Sequence, residues 1–138
     1  MAKIAQQATE QKVSAILKTP PGFSNSDALE ISEVLNGLVA DAFTLYLKTK
    51  NFHWHMTGPH FRDYHLLLDE QADQIFASID RLAERVQKIG QTTLKSEGHV
   101  AKLASIKENS ANIVSAGDMM DELIGNNREM AEAMRKCH

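Results

Sequence analysis

The sequence predicts an all-α domain made of three long amphipathic helices and one short connecting helix. Apolar residues recur at steps of three and four over long stretches, which is the period of a helix face. No stretch alternates with the period of a β-strand, and the prolines, Pro20, Pro21 and Pro59, fall where helices begin or connections lie. A chain of 138 residues is long enough for one such domain and short for two.

Residues 1–25 precede the helices and are predicted to form a flexible arm, whereas residues 26–138 are predicted to form the helical domain. The arm ends in the helix-breaking run Thr-Pro-Pro-Gly of residues 19–22. It carries three lysines and one glutamate, and dispersed positive charge of this kind can release counterions from nucleic-acid phosphates. DNA is therefore a candidate partner of the arm, although three lysines are few for that purpose.

The first long helix is predicted to begin at a capping serine, Ser24 or Ser26, and to end near Met56. Its apolar positions are Ile31, Val34, Leu35, Leu38, Ala42, Leu45, Tyr46 and Phe52. The sequence Thr-Gly-Pro at residues 57–59 then stops one helix and starts the next, with Pro59 in the first turn of the second helix. So short a connection predicts an antiparallel helical hairpin.

The second long helix is predicted over residues 59–89, with Gly90 as its C-terminal cap. Its apolar positions are Phe61, His65, Leu68, Ala72, Ile75, Ile79, Leu82, Val86 and Ile89. The short connecting helix is predicted around Val100, Leu103, Ala104 and Ile106. The third long helix should open at Ser115 or Gly117, with Met119, Met120, Leu123, Ile124, Asn127, Met130, Ala131 and Met134 along its apolar side.

Two pairs of polar residues on the second helix have the spacing of metal ligands. His65 and Asp69 form a pair near the hairpin turn, here called the near pair, and Asp80 and Glu84 form the far pair. The members of each pair are four residues apart, so their polar ends point from one side of the helix. His53 precedes the turn on the first helix, and the hairpin can bring it to the near pair.

The distance between the pairs decides what they can do. The near and far pairs are separated by roughly 22 Å of helix, whereas one metal ion holds its ligands at about 2.0–2.2 Å. The two pairs are symmetric about a point between residues 74 and 75. Two copies of the helix packed antiparallel about a two-fold axis at that point would bring the near pair of one chain against the far pair of the other. The sequence thus predicts two identical metal sites, each shared between two chains.

The ligand types alone do not choose the metal. Imidazole and carboxylate suit iron, manganese or zinc. The usual intrachain di-iron site of helical bundles uses Glu-x-x-His motifs, and this sequence has none. A simpler role is open to Glu84, which can pair with Lys88 four residues later. That role does not account for Asp80, a like-charged neighbour of Glu84.

The stretch of residues 51–70, NFHWHMTGPHFRDYHLLLDE, followed by DRLAER at residues 80–85, resembles the signature of Dps-like miniferritins. The spacings from His53 through the near and far pairs are 12, 4, 11 and 4, as in that family. The resemblance extends from about residue 26 to the end of the sequence. It implies a ferritin-like four-helix bundle that oxidises Fe²⁺ at the dimer interface, preferably with hydrogen peroxide. It also implies storage of ferric mineral in a shell of twelve subunits.

The resemblance also implies roles for individual residues. His53, His65 and Asp69 would come from one chain, and the far pair would come from its partner. Trp54 matches a tryptophan beside the site, where it can intercept radicals. One departure is that the sequence stops around the end of the third long helix, where the family continues into a fourth. We therefore expect a C-terminally incomplete bundle with an uncovered apolar groove.

These observations predict an iron-storing ferroxidase that protects DNA by consuming Fe²⁺ and the oxidant, hydrogen peroxide or oxygen. One rival is a DNA-compacting structural protein with a secondary metal site, which the net charge of −3 and the scattered basic residues disfavour. Another is a helical dimer with structural zinc, disfavoured because no cysteine accompanies the ligands. Zinc or manganese can still act as a surrogate for iron.

The sequence also predicts where the protein works. Its single cysteine suits a reducing compartment. No apolar run approaches the roughly 20 residues needed to span a bilayer, and the first residues do not resemble a secretory signal. We therefore expect a cytoplasmic protein without a membrane partner, associated with the nucleoid if it binds DNA.

Overall fold

The computed structural model describes residues 2–7 and 17–137, and within them the chain is all-α, as predicted. Its helices are α1 (Asn25–His55), α2 (Phe61–Lys88), α3 (Glu97–Leu103) and α4 (Ala116–Lys136). Residues 2–7 are also helical and exposed, and no strand occurs in the described ranges. Residues 1 and 8–16 of the predicted arm lie outside the described part of the chain, so the flexibility of the arm stays a prediction. None of the described helices is long and apolar enough to cross a membrane.

Helix α1 begins where the sequence offered two capping serines, and Ser24 is the one used. Its hydroxyl accepts from the backbone N–H of Asp27 at 3.1 Å, and the Asp27 carboxylate accepts from the backbone N–H of Ser24 at 3.3 Å. This reciprocal capping box satisfies two N–H groups that the first helical turn leaves unpaired. At the other end α1 stops at His55 and is capped by Met56, as predicted.

The turn between α1 and α2 differs from the prediction in one respect. Helix α2 starts at Phe61 with His60 as its cap residue, so Pro59 lies in the turn and not in the first helical turn. Gly58 has a φ of +110°, and its carbonyl accepts from the backbone N–H of Phe61 at 3.1 Å. The helix begins two residues later than predicted because the left-handed Gly58 and the hydrogen bond from Phe61 form a turn that contains Pro59 and His60.

The C-terminal end of α2 depends on Gly90, as predicted. Gly90 has a φ of +78°, its N–H donates to Gln87, and the N–H of Gln91 donates back to Val86. This pattern closes the last helical turn with a left-handed glycine. A Cβ at this position would lie 2.7 Å from the backbone of Lys18 and Thr19, so the segment before α1 packs directly on the end of α2.

The core lies mainly between α1 and α2, and the predicted apolar face of α2 is confirmed except at Phe61, which is 44% exposed. Its buried residues are Leu68, Ala72, Ile79 and Val86. On α1 the predicted positions Leu38, Ala42, Leu45 and Phe52 are buried. Ile31 and Val34 were predicted wrongly, since they are 37% and 46% exposed, while Ala28 and Ser32 are buried instead. The buried side of α1 near its N-terminal end is therefore the side that carries Ala28 and Ser32.

The third long helix begins at a predicted cap, Ser115, whereas the short helix, capped by Ser96, ends at Leu103, so the predicted positions Ala104 and Ile106 lie after it. Helix α4 buries Met119, Leu123 and Met130 against α1. Both α2 and α4 pack on α1, and an open groove runs between them, as predicted. It is lined mainly by Gln71, Gln74, Ile75, Ser78, Met120, Ile124, Asn127, Ala131 and Met134.

Two buried polar residues of α1 form hydrogen bonds to the connecting segment and to α4. The carboxylate of Asp41 accepts from the backbone N–H groups of Ser105 and Ile106 at 2.6 and 2.9 Å. The ammonium of Lys48 donates to Glu122 and Asn126 of α4, each at 2.7 Å. Because unpaired buried polar groups are costly, these bonds fix how the connecting segment and α4 dock on α1.

Candidate metal centre

The two histidines of the predicted site hold each other in place across the hairpin. His53 lies in the last turn of α1, and His65 lies in the second turn of α2. Nδ1 of His53 donates to the carbonyl oxygen of His65 at 2.7 Å, and Nδ1 of His65 donates to the carbonyl oxygen of His53 at 2.9 Å. The two rings stack with centroids 3.7 Å apart and planes 20° apart. The hairpin therefore brings His53 to the near pair, as predicted.

These bonds determine which ring nitrogen can bind a metal. A carbonyl oxygen only accepts hydrogen bonds, so Nδ1 of each ring carries the proton. In the neutral form of each ring the lone pair is then on Nε2, and a histidine in that form ligates metals. The carbonyl of His53 is among the last of α1, which have no partner inside the helix, so His65 also satisfies that group.

Asp69 lies next to the histidines but is held by a residue that the sequence analysis missed. Its Oδ1 atom is 2.7 Å from Nζ of Lys50 on α1 and 3.8 Å from Nε2 of His53. Lys50 precedes His53 by one helical turn, so its charge on the site side of α1 was the signal available in the sequence.

The ion pair keeps both partners charged. The hydrogen bond from Lys50 is the main cause that holds the pKa of Asp69 below its usual value, and burial acts in the opposite direction. The same bond raises the pKa of Lys50 above its usual value. Asp69 is therefore a carboxylate at neutral pH, in the protonation state that a metal ligand needs.

The far pair is not brought to the histidines within this chain. Asp80 and Glu84 are both exposed, on the same face of α2 as the near pair but roughly 22 Å further along it. Glu84 makes the simple contact considered above, accepting from Lys88 at 3.3 Å, with both side chains more than half exposed. Such an exposed pair contributes little to stability. In the described part of the chain, no three or more His, Cys, Asp or Glu side chains gather in a group that could hold a metal ion.

The face that carries both pairs also exposes large apolar side chains. From α1 these are Phe43, Leu47 and Trp54, and from α2 they are Leu66 and Phe76. Their positions recur at helical steps, so they form one surface with the ligands, here called the two-fold face. Phe76 lies near its middle, between the pairs, and contacts Tyr46 with ring centroids 5.1 Å apart. Exposed apolar surface of this extent is typical of a protein interface.

Trp54 lies at the edge of the site and is 60% exposed. Its ring centre is 5.8 Å from Nζ of Lys50, within the range of a cation–π contact. Lys50 thus contacts both the near pair and the tryptophan that we predicted to intercept radicals. That radical role remains a prediction.

Comparison with known proteins agrees with this architecture. The model of the ferritin-like domain family matches residues 32–138. The DNA protection during starvation protein of Agrobacterium fabrum is 36% identical over 104 residues, which cover 75% of this chain and 64% of that protein. An uncharacterised low temperature-induced protein of Nostoc is 31% identical over 114 residues, covering 83% of this chain. The chain spans 64% of the length of each of these two relatives.

Solved structures show the same likeness in three dimensions. DpsC from Streptomyces coelicolor superposes with a TM-score of 0.81 at 27% sequence identity. The superposition covers 87% of this chain and 70% of that one. The order and packing of the helices described above are therefore those of a Dps-type bundle over the shared region.

Proposed function

Because the chain belongs to the ferritin-like family and is a Dps-like miniferritin, we propose that it stores iron and oxidises Fe²⁺ at sites shared between two chains. The observation that carries the proposal is the contrast between the near and far pairs. His53 and the near pair lie together at the hairpin, with both Nε2 atoms outside the crossed hydrogen bonds, but they do not form a group that could hold a metal ion by themselves, and the far pair stands exposed on the same face. Each end of the face thus supplies half of a ligand set.

The partner in this proposal is a second copy of the chain. A two-fold axis near residues 74 and 75 sets the near pair of one chain against Asp80 of the partner subunit and Glu84 of the partner subunit. The exposed apolar side chains of the two-fold face, with Phe76 near the axis, supply the contact area. Twelve chains would then enclose a space for the ferric product, as the resemblance implies.

The ligands would have distinct tasks in the reaction. Neutral imidazoles bind Fe²⁺ without adding charge, and carboxylates favour the ferric product because they are hard anionic ligands. Two Fe²⁺ ions give one electron each to hydrogen peroxide, whose O–O bond breaks. With two water molecules, the products are two ferric oxyhydroxide units and four protons. Zinc or manganese would occupy the same ligands without this reaction being required.

Protection of DNA follows from the proposed chemistry, since it removes both Fe²⁺ and the oxidant. Direct contact with DNA through the arm remains a separate prediction, as does a cytoplasmic location. The relative from Agrobacterium fabrum is named for DNA protection during starvation. That name supports the proposed outcome without specifying contact.

The test is anaerobic loading with Fe²⁺ followed by hydrogen peroxide, with ferric absorbance as the readout. We expect the parent chain to oxidise iron rapidly and Asp80→Ala/Glu84→Ala to lose at least about tenfold in rate, because half of each ligand set is gone. The matched control is Glu129→Ala/Glu132→Ala, which removes two exposed carboxylates of α4 and should oxidise iron like the parent. Equal, slow oxidation by all three chains would refute the ferroxidase proposal.

A further inference from the structure

Phe61, the first residue of α2, packs on a histidine of the site and not in the core. Its side chain is 44% exposed, although its position belongs to the apolar stripe of the helix. The centre of its ring lies 4.9 Å from the centre of the His65 ring, and the two planes are 28° apart. The hydrogen bond from its N–H to the carbonyl of Gly58 holds it at the end of the turn. This exposed aromatic residue therefore covers one face of a candidate ligand.

His65 is consequently enclosed on three sides. The ring of His53 stacks on it at 3.7 Å, and Nδ1 of His65 donates to the carbonyl oxygen of His53 at 2.9 Å. Two rings stacked this closely on one five-membered ring have room only on its opposite faces, so Phe61 lies on the face away from His53. The edge that carries Nε2 is left open, and it is the edge that can bind a metal.

The hydrogen bond alone does not fix the direction of Nε2. Hydrogen bonds keep much of their strength at angles short of linear, and the outer torsion of a histidine side chain has broad minima. An imidazole that is bonded only through Nδ1 can therefore tilt, and its Nε2 then points in a different direction. A flat ring on each face opposes the tilt in both directions.

The two histidines differ in how much they need this support. His53 is only 8% exposed, so the surrounding core restricts its ring. His65 is half-buried, and Phe61 covers the face that the core does not. The substitution Phe61→Leu keeps an apolar side chain but removes the flat face that lies against the imidazole. The shape of the residue at position 61 therefore matters, and not only its hydrophobicity.

We propose that Phe61 is a positioning residue of the metal centre, which directs Nε2 of His65 by covering the face of that ring opposite His53. This inference rests on the proposed function, because it takes His65 as a metal ligand. Phe61 has no group that binds a metal, so it acts only through the histidine.

The experiment is an anaerobic titration of the whole chain with Co²⁺, whose visible absorption reports the geometry of its ligands. For Phe61→Leu we expect about tenfold weaker binding and a changed spectrum, because a residue that orients a ligand is lost. Phe61→Tyr keeps the flat ring and should behave like the parent. The matched control is Phe23→Leu, at a phenylalanine that is 46% exposed beyond the other end of α1, and it should also behave like the parent.

A second measurement tests whether Phe61 acts through His65. In a His65→Gln background, Phe61→Leu should cause no further loss of Co²⁺ affinity, because the effects of residues that act through one contact are not additive. Urea denaturation should give Phe61→Leu and Phe23→Leu similar free energies of unfolding, since both substitutions replace an exposed ring.

The outcomes separate this inference from the proposed function. Parental affinity and spectrum in Phe61→Leu would overturn the inference and leave the ferroxidase proposal intact. A loss of affinity that also occurs in Phe61→Tyr, or that persists undiminished in the His65→Gln background, would overturn it as well. The expected Co²⁺ results in a chain that does not oxidise Fe²⁺ would support the inference and refute the ferroxidase proposal. A parent chain that binds no Co²⁺ would overturn both.

Discussion

The two ends of α2 carry similar candidate ligands, but those at one end are paired within the chain and those at the other end are exposed. At the N-terminal end, His65 is bonded across the hairpin and Asp69 is paired with Lys50. At the C-terminal end, Asp80 and Glu84 project from the surface, and Glu84 has only a long contact with Lys88. The difference agrees with the proposed function, in which each end of the helix supplies half of a metal site and a second chain supplies the other half.

The cause is the direction in which α1 lies. Helix α1 packs along the Leu68 and Ile79 side of α2, and near the turn its residues also reach the near pair. At the far pair no described helix lies opposite the ligands. Asp69 is paired and Asp80 is exposed because the hairpin brings α1 close to the first and not to the second.

The largest effect is expected when the near pair and the far pair are removed from different chains and the two variants are then mixed. His65→Gln/Asp69→Asn and Asp80→Ala/Glu84→Ala should each be nearly inactive as iron oxidases. After they are mixed under conditions that exchange subunits, half of the dimers are hybrids, and each hybrid holds one intact site of two. We therefore expect recovery of about a quarter of the parental rate, since a two-fold interface pairs the halves reciprocally.

The control for this prediction is to mix each variant with itself, which should restore nothing. Recovery without subunit exchange would mean that the variants retain activity of their own. No recovery after proven exchange would mean that the pairs do not meet across the interface, and the shared site would be abandoned.

The sequence was sufficient to predict the helices, but not which side chains are exposed or how each candidate ligand is paired. Helical periodicity and caps such as Gly90 predicted the order of the helices and most of their ends, because these depend on neighbouring residues. The exposure of Ile31 depended on which side of α1 the other helices cover, which local pattern does not encode. The pairing of Lys50 with Asp69 was missed for the same reason, since it joins two helices. The assignment of the five ligands remains a prediction.

A second prediction concerns the closed end of α2, where the arm segment packs on Gly90. Gly90→Ala should destabilise the chain by about 2 kcal/mol, because φ is positive and the added carbon meets backbone. Gly98→Ala in α3 is the matched control, where the new carbon makes only an ordinary 3.8 Å contact. Urea denaturation measures both, and equal stability of the two variants would show that the segment before α1 does not pack there.

A smaller effect on stability is expected from a comparison of Glu122, which is paired with a buried lysine, and Glu84, which is exposed. Glu122→Gln should lower stability at pH 7 by about 1 kcal/mol, because Lys48 is buried against it. Glu84→Gln should have almost no effect.

The pH dependence of the Glu122 effect has a definite sign. Burial acts to raise the pKa of Glu122, but hydrogen bonds from Lys48 and Asn109 lower it below the usual 4.5. The stabilisation is therefore present above that value and is lost as the pH falls through the lower pKa of the folded state. Chemical denaturation at pH 7 and below pH 4.5 measures the change. A constant difference between parent and Glu122→Gln at both would contradict this account.

The crossed histidine bonds make the hairpin turn a clasp. A ring of His53 or His65 can turn its Nε2 away only by releasing the carbonyl of the opposite helix, so ligand orientation and closure of residues 56–60 are one event. An ion bound on the Nε2 side then favours the closed clasp over the open one by mass action. The amide hydrogens at the start of α2 should therefore exchange more slowly when iron is bound than when it is absent, although they do not contact the iron.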